Sequence, residues 1–302
     1  MSGKPLAKPH IAIVGAGNLA GALAPALHRA GYVIEQIIAR GRGESLGRAR
    51  QLGREVGATV VVVGGARDKS GIGTGSEVRF SINAEVIWFC VPDGTIAGAA
   101  RTLLSVAEWK GKVALHSSGA LRSDELGRLR RRGAAVASVH PLMTFVRGSR
   151  PRLEGVPFAI EGDRKALRAA RAMVKDLGGE SWAIRGEDKA AYHAWGTFAS
   201  PLLTALLAIC EEVATGAGLG RKVAKRRMLP MLKQTLANYE AYGAAGAFSG
   251  PIVRGDVDTV KRHLRVLEKT PAARQVYVGL ALAALQYLPA KNKLLLKRAL
   301  DF

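Results

Sequence analysis

The chain has 302 residues, 48% of them hydrophobic, and a formal net charge of +21 from 45 Lys and Arg against 24 Asp and Glu. That length suits about two domains with a large core, and the composition excludes a disordered chain. Cys90 and Cys210 both lie in apolar runs, which argues against a disulfide framework and for a reducing cytoplasm.

The start, MSGKPLAKPH, lacks the apolar core of a signal peptide. HIAIVG (10–15) reads as a short strand feeding GAGNLAG and a helix over ALAPALHRAG. YVIEQIIAR (32–40) is a second strand, followed by an arginine-rich helix to Gly57. ATVVVVGG (58–65) reads as a strand and GIGTGSEVRF (71–80) as a loop. EVIWFCVPD (85–93) predicts a strand and GTIAGAARTLLSVAEW (94–109) a helix. KVALHSSG (112–119), RSDELGRLRRRG (122–133) and AAVASVH (134–140) continue as strand, helix and strand. VPFAIEG, a helix over 164–177, and SWAIR extend the pattern. Alternating strands and helices define an α/β domain with a mostly parallel sheet of Rossmann type. After about Arg185 the text is helical, with helices near 187–216, 221–243, 256–268, 271–286 and 290–300. The expected division is an α/β domain over 8–185 and an all-α domain over 186–302. From Ala190 to Cys210 the chain carries no formal charge apart from His193, long enough for a membrane span. His193, Thr197, Ser200, Pro201 and Thr204 within it favour a buried or dimer-forming helix instead.

GAGNLA has the form G-x-G-x-x-A between a strand and a helix. Gly15 permits the tight turn and Gly17 a close approach to a pyrophosphate, which Asn18 and Leu19 would flank at the helix N-terminus. Ala20 allows close helix–strand packing. An NAD site usually has an acidic residue at the end of the second strand; here stand Arg40, Arg42 and Ser45, a set suited to a 2′-phosphate. NADP(H) is therefore the expected cofactor. Three further strands end in polar text: Val91-Pro92-Asp93, His116-Ser117-Ser118 and His140-Pro141. Ligands of open α/β sheets bind at the carboxyl ends of the strands, so these residues share an edge with the glycines. Each also has a plain structural reading, as a satisfied histidine or the start of a proline turn.

Lys189 and His193 lie four residues apart on one helix face, and Thr197, Ser200 and Thr204 continue that stripe. A lysine ammonium can stabilise the charge left by hydride transfer, and an imidazole can share the proton. The competing reading leaves Lys189 at the surface and His193 in the core. No C-x-x-C or H-E-x-x-H spacing suggests a metal.

The stretches GAGNLAGAL, VIWFCVPDGTI, LHSSGAL, SVHPLMTF, LEGVPFAIEGD, KAAYHAW, LPMLKQTLANY and GPIVRGDVDTVKRHL give the chain a family resemblance along nearly its whole length. It resembles the uncharacterised bacterial proteins that join a Rossmann-like NADP-binding domain to a helical C-terminal domain of unknown function. That family is similar to ketopantoate reductases, pyrroline-carboxylate reductases, deazaflavin-dependent NADP oxidoreductases and β-hydroxyacid dehydrogenases. The resemblance implies an active site at a helical, often dimer-forming domain, with Lys189 and His193 as counterparts of a lysine and an asparagine one turn on. Ser200-Pro201 departs from the Ser-Asn often found there. Downstream, Asn238 and Arg254 are candidate substrate contacts, with Arg254–Asp256 equally readable as a loop brace and helix cap.

The combined expectation is an NADPH-dependent reductase of a small, anionic oxo acid or an imine, cytoplasmic and homodimeric, with Lys189, His193 and His140 in the chemistry. The alternative is a regulatory module that binds NADP without turnover. The runs Arg128–Arg132 and Arg221–Arg227 lack interleaved aromatic residues, which argues against nucleic acid.

Overall fold

The computed structural model describes residues 7–41, 43–63 and 80–301. Eight strands form one sheet: β1 (Ile11–Val14), β2 (Ile34–Arg40), β3 (Thr59–Val63), β4 (Val86–Phe89), β5 (Val113–His116), β6 (Ala135–Pro141), β7 (Pro157–Gly162) and β8 (Glu180–Ala183). Their order is β3-β2-β1-β4-β5-β6-β7-β8. Every pairing is parallel except β6 with β7. The first connection from β1 leads to β2 on one side, and the chain later returns to β1's other side with β4. This reversal opens a crevice at the carboxyl ends of β1 and β4.

Alternation along the strands builds two cores. Ile11 and Ile13 face α1 (Asn18–Arg29), α2 (Gly43–Val56) and α5 (Arg164–Asp176). Ala12 and Val14 face the other layer, with α3 (Ile96–Thr102) and α4 (Gly127–Arg130). Side chains at successive strand positions point to opposite faces, so a strand covered on both sides must read IAIV rather than alternate with polar residues.

Two expected helices are shorter than their sequence suggests. The helix read over 94–109 ends at Thr102, because Trp109 folds back into the core and its indole N–H donates to Leu104 O at 3.2 Å. The helix read over 122–133 becomes a 3₁₀ turn and the single turn α4, because Ser123 is held through its backbone N–H and hydroxyl by Glu161. The loop read over 71–80 lies outside the described residues except for Phe80.

By its internal contacts the chain divides at Gly196/Thr197, later than the break at 185/186 read from the sequence. The reason is that α6 (Lys189–Thr197) opens with Lys189 and Tyr192, both buried within the α/β unit. A π-helical turn (Phe198–Leu202) around Pro201 then interrupts the long helix read over 187–216, since proline has no N–H for the regular ladder. The stretch Gly186–Gly216 is long and apolar enough to cross a membrane, by length and composition.

The helical unit holds α7 (Leu203–Gly216), α8 (Arg221–Ala247), α9 (Pro251–Arg254), α10 (Val257–Leu267), α11 (Pro271–Tyr287) and α12 (Lys293–Leu300). Asp256 caps α10 by accepting from Thr259 N–H at 3.0 Å, as its sequence position suggested. α8 breaks at Gly243, whose φ of 66° a residue with a side chain rarely adopts. Val260, Leu264, Ala281, Leu285, Leu296 and Leu300 form its core. Met231, Leu236, Tyr239 and Tyr242 of α8 stand 60–69% exposed.

Candidate active site

The crevice at β1 and β4 is a cavity of about 520 Å³, lined by Gly15, Gly17, Arg40, Ser45, Val91 and Pro92 among others. Gly15 has φ of +102°, and a Cβ there would lie 2.5 Å from Cys90 O. Gly17 is the N-cap of α1 and makes no side-chain cap bond, and the first turn carries no acidic residue. Its N–H groups and the positive end of the helix dipole are therefore available to an anion. Asn18 donates to Phe145 O at 3.1 Å and so ties the turn to the loop after β6. Leu19 and Ala20 pack into the core.

Arg40 is exposed at the end of β2, and Ser45 lies in the first turns of α2. Arg42 lies outside the described residues. Arg48, which sequence reasoning did not single out, lines this cavity and a neighbouring one of about 480 Å³. Its signal was available: it stands three residues after Ser45, on the same helix face.

The polar text at the ends of β4 and β5 is used internally. His116 is fully buried. Its Nδ1 accepts from Ser118 N–H at 3.1 Å, which places the ring hydrogen on Nε2 for donation to Arg122 O at 3.0 Å. Burial pushes His116 down to about 4; Arg122 O and Asp93 oppose that shift, and Lys189 adds to it. Ser117 Oγ accepts from the Trp88 indole at 2.8 Å. Ser118 Oγ donates to Asp93 Oδ2 at 2.7 Å and accepts from Leu121 N–H at 2.8 Å. These bonds shape the turn over 116–122.

Lys189 is also fully buried. Its Nζ donates to Ser118 O at 3.0 Å and to Ser138 Oγ at 2.8 Å, while Ser138 Oγ donates to the same Ser118 O at 3.0 Å. Burial lowers its pKa to about 8, against the opposing charges of Glu161 and Asp93. The lysine thus braces the turn from beneath.

At the end of β6, His140 Nδ1 meets the Tyr192 hydroxyl at 2.6 Å. Its ring lies edge-on to Tyr192 at 5.4 Å and to His193 at 6.2 Å. Burial first, then Lys189, His193 and His116, lower the His140 pKa to about 4. Burial raises the Tyr192 phenol to about 12. The structure therefore brings Lys189, His193 and His140 together in the α/β unit, and adds Tyr192, which the sequence reading passed over. Ser200, Asn238 and Arg254 lie in the helical unit. Ser200 O accepts from Thr204, Asn238 Oδ1 accepts from Gln234 at 2.7 Å, and Arg254 ends α9. No group of three or more metal-binding side chains occurs among the described residues.

Comparison with known proteins agrees with this architecture. Residues 156–284 match the family described as a domain of unknown function, DUF2520. No curated protein matches the chain in sequence. A Bacteroides fragilis protein provisionally classed as an NADP oxidoreductase shares the fold at a TM-score of 0.72, with 22% identity over 92% of this chain and 98% of that one. A protein from Thermotoga maritima gives 0.64 and 23% identity, covering 96% and 98%. An imine reductase from a Pseudomonas species gives 0.57 and 20%, covering 92% and 94%. The resemblance read from the sequence, a Rossmann-like unit joined to a helical region of unknown function, is the architecture of this chain.

Proposed function

We propose that this protein is an NADPH-dependent reductase of a small oxo acid or imine. One observation carries the reading: the glycine-lined cavity of β1 and β4 and the His140–Tyr192–His193 cluster lie at the carboxyl edge of one sheet. Its fold is shared with imine and pyrroline-carboxylate reductases.

The residues present fit NADP. A Cβ at Gly15 would fill the cradle, the α1 N-terminus offers its N–H groups to the pyrophosphate, and Arg40, Ser45 and Arg48 suit a 2′-phosphate. When bound, the reduced cofactor supplies a hydride. A fluorescence titration at about 0.15 M salt, where loose charge effects are screened, tests this. NADPH is expected to bind at least ~10-fold more tightly than NADH, and Arg40→Ala to erase most of that difference, about 1.4 kcal/mol or more. Equal affinity for both cofactors would remove the 2′-phosphate assignment. Absence of binding would remove the reductase.

We also infer a cytoplasmic homodimer built through the helical unit. Cys90 and Cys210 are free thiols, and Met231, Leu236, Tyr239 and Tyr242 supply exposed apolar surface along one stretch of α8. Sedimentation should give twice the chain mass, and Leu236→Glu with Tyr239→Glu should yield monomer.

A further inference from the structure

We propose that His140 delivers the proton in this site, with Tyr192 as the source behind it and Lys189 as a positioning residue beneath it, and that the group reduced is a carbonyl, as in a 2-oxo acid, rather than an imine. This rests on the reductase reading above and narrows it to one of its two substrate classes.

In this proposal the proton flows from Tyr192 to His140. Tyr192 is 7% exposed and its hydroxyl sits 2.6 Å from His140 Nδ1. With the phenol as donor, Nδ1 accepts and the ring hydrogen resides on Nε2, the tautomer that the spectra below test. Nε2 faces Gly119. A Cβ at that position would lie 2.8 Å from Nε2 and 2.7 Å from His193 Cδ2, so the absence of a side chain is what lets both rings approach the turn. The Lys189 ammonium is 0% exposed, and two of its three N–H donors go to Ser118 O and Ser138 Oγ. What it fixes is the turn that carries Gly119.

The strength of the acid selects the substrate. His140 and Tyr192 form a neutral donor pair, with Nδ1 and the hydroxyl 2.6 Å apart. A ketone acquires negative charge on oxygen as hydride arrives, and a neutral relay can supply the proton that this charge demands. A neutral imine needs a strong acid, and a neutral imidazole is a weak one. It is adequate for a developing alkoxide, whose basicity is greater.

The step balances. As the carbonyl carbon accepts the hydride supplied by NADPH, the C=O π pair passes to oxygen. The His140 Nε2–H bond breaks and the substrate O–H bond forms. Nδ1 takes the Tyr192 hydroxyl proton, and water reprotonates the phenolate. The carbonyl is reduced and the nicotinamide oxidised.

The test uses the full-length protein with 2-oxobutanoate and 1-pyrroline as probes, and nitrogen-15 histidine spectra as a readout independent of turnover. His140 is expected as the neutral Nε2–H tautomer. Tyr192→Phe should move its Nδ1 resonance towards an unbonded position. His140→Asn should lower kcat on 2-oxobutanoate about 100-fold with NADPH affinity unchanged, and Tyr192→Phe about 10-fold. Lys189→Met should displace the His140 resonances and lower kcat, with partial rescue by Lys189→Arg. If the methionine variant does not fold, the arginine variant carries that comparison. An Nδ1–H tautomer, His140→Asn within about threefold of wild type, or preference for 1-pyrroline would each overturn the proposal. NADPH bound tightly with neither probe reduced would overturn it while leaving a cofactor-binding module. No NADPH binding would take the reductase reading down with it.

Discussion

Alanine at position 15 is expected to abolish NADPH binding and to destabilise the α/β unit by about 3 kcal/mol. Two costs combine. The φ of +102° is one that a side chain rarely tolerates, and the new Cβ would meet Cys90 O at 2.5 Å and Val91 Cγ1 at 2.9 Å. The Cys90 carbonyl cannot yield easily. Cys90 N–H is bonded to Val14 O at 2.8 Å and Gly15 N–H to Ile38 O at 2.7 Å, so the sheet holds the backbone on both sides of the clash. Gly17→Ala is the informative partner. Its Cβ would lie 3.9 Å from Cys90 O, an ordinary contact, so the fold should keep its urea midpoint while the crowded turn loses the pyrophosphate. If Gly15→Ala keeps both midpoint and affinity, the turn does not hold the cofactor.

The second large effect is acid sensitivity carried by two histidines. The pKa of His116 is lowered from 6.5 to about 4, chiefly by burial, and that of His140 likewise. The folded state therefore holds them neutral while the unfolded chain binds protons below about pH 6.5. Their contribution is complete above pH 6.5 and is lost as pH falls towards 4, about 3 kcal/mol for the fully buried His116 and less for the partly exposed His140. Lys189 gives a slope of the same sign at high pH. Its folded pKa of about 8 lies below the 10.5 of an unburied lysine, so stability rises between those values. Urea midpoints measured from pH 4 to 8 test this. His116→Asn, which keeps an acceptor for Ser118 N–H, should be less stable at pH 7 yet flatter between pH 6.5 and 4. A variant curve parallel to wild type would mean that another group controls acid unfolding.

Much of this could be read from the sequence where the determinants are local. The β1–α1 turn announces itself because glycines, strand and helix are contiguous, and buried strands read as apolar runs. Lys189 was legible as a member of a helical face, but its burial was not. The Ser118 carbonyl and Ser138 hydroxyl that receive it come from 71 and 51 residues away. Tyr192 lies three residues after Lys189 on nearly the same face, and an aromatic residue there reads as core until its hydroxyl is seen against His140. Gly119 reads as the end of a strand, and the two histidines it faces belong to different elements. The helix over 94–109 fails for a similar reason: Trp109 is satisfied by folding back, which no periodicity signals. The continuous stripe from Lys189 to Thr204 fails at Pro201, where the π turn shifts the faces out of phase.

Among the described residues the sheet ends on one side in β3, Thr-Val-Val-Val-Val, with Val62 43% exposed. Its neighbour β2 satisfies one row of its backbone groups. Among the described residues no strand pairs with the other row, and β3 has no charge, no proline and high β-propensity, the composition from which intermolecular strand pairing grows. The opposite edge, β8, begins with Glu180 and is followed by Arg185. Aggregation during synthesis or heating would therefore start from the cofactor side of the sheet. A ligand that holds β2 and its neighbours in place would act as a guard against misassembly as well as a reactant.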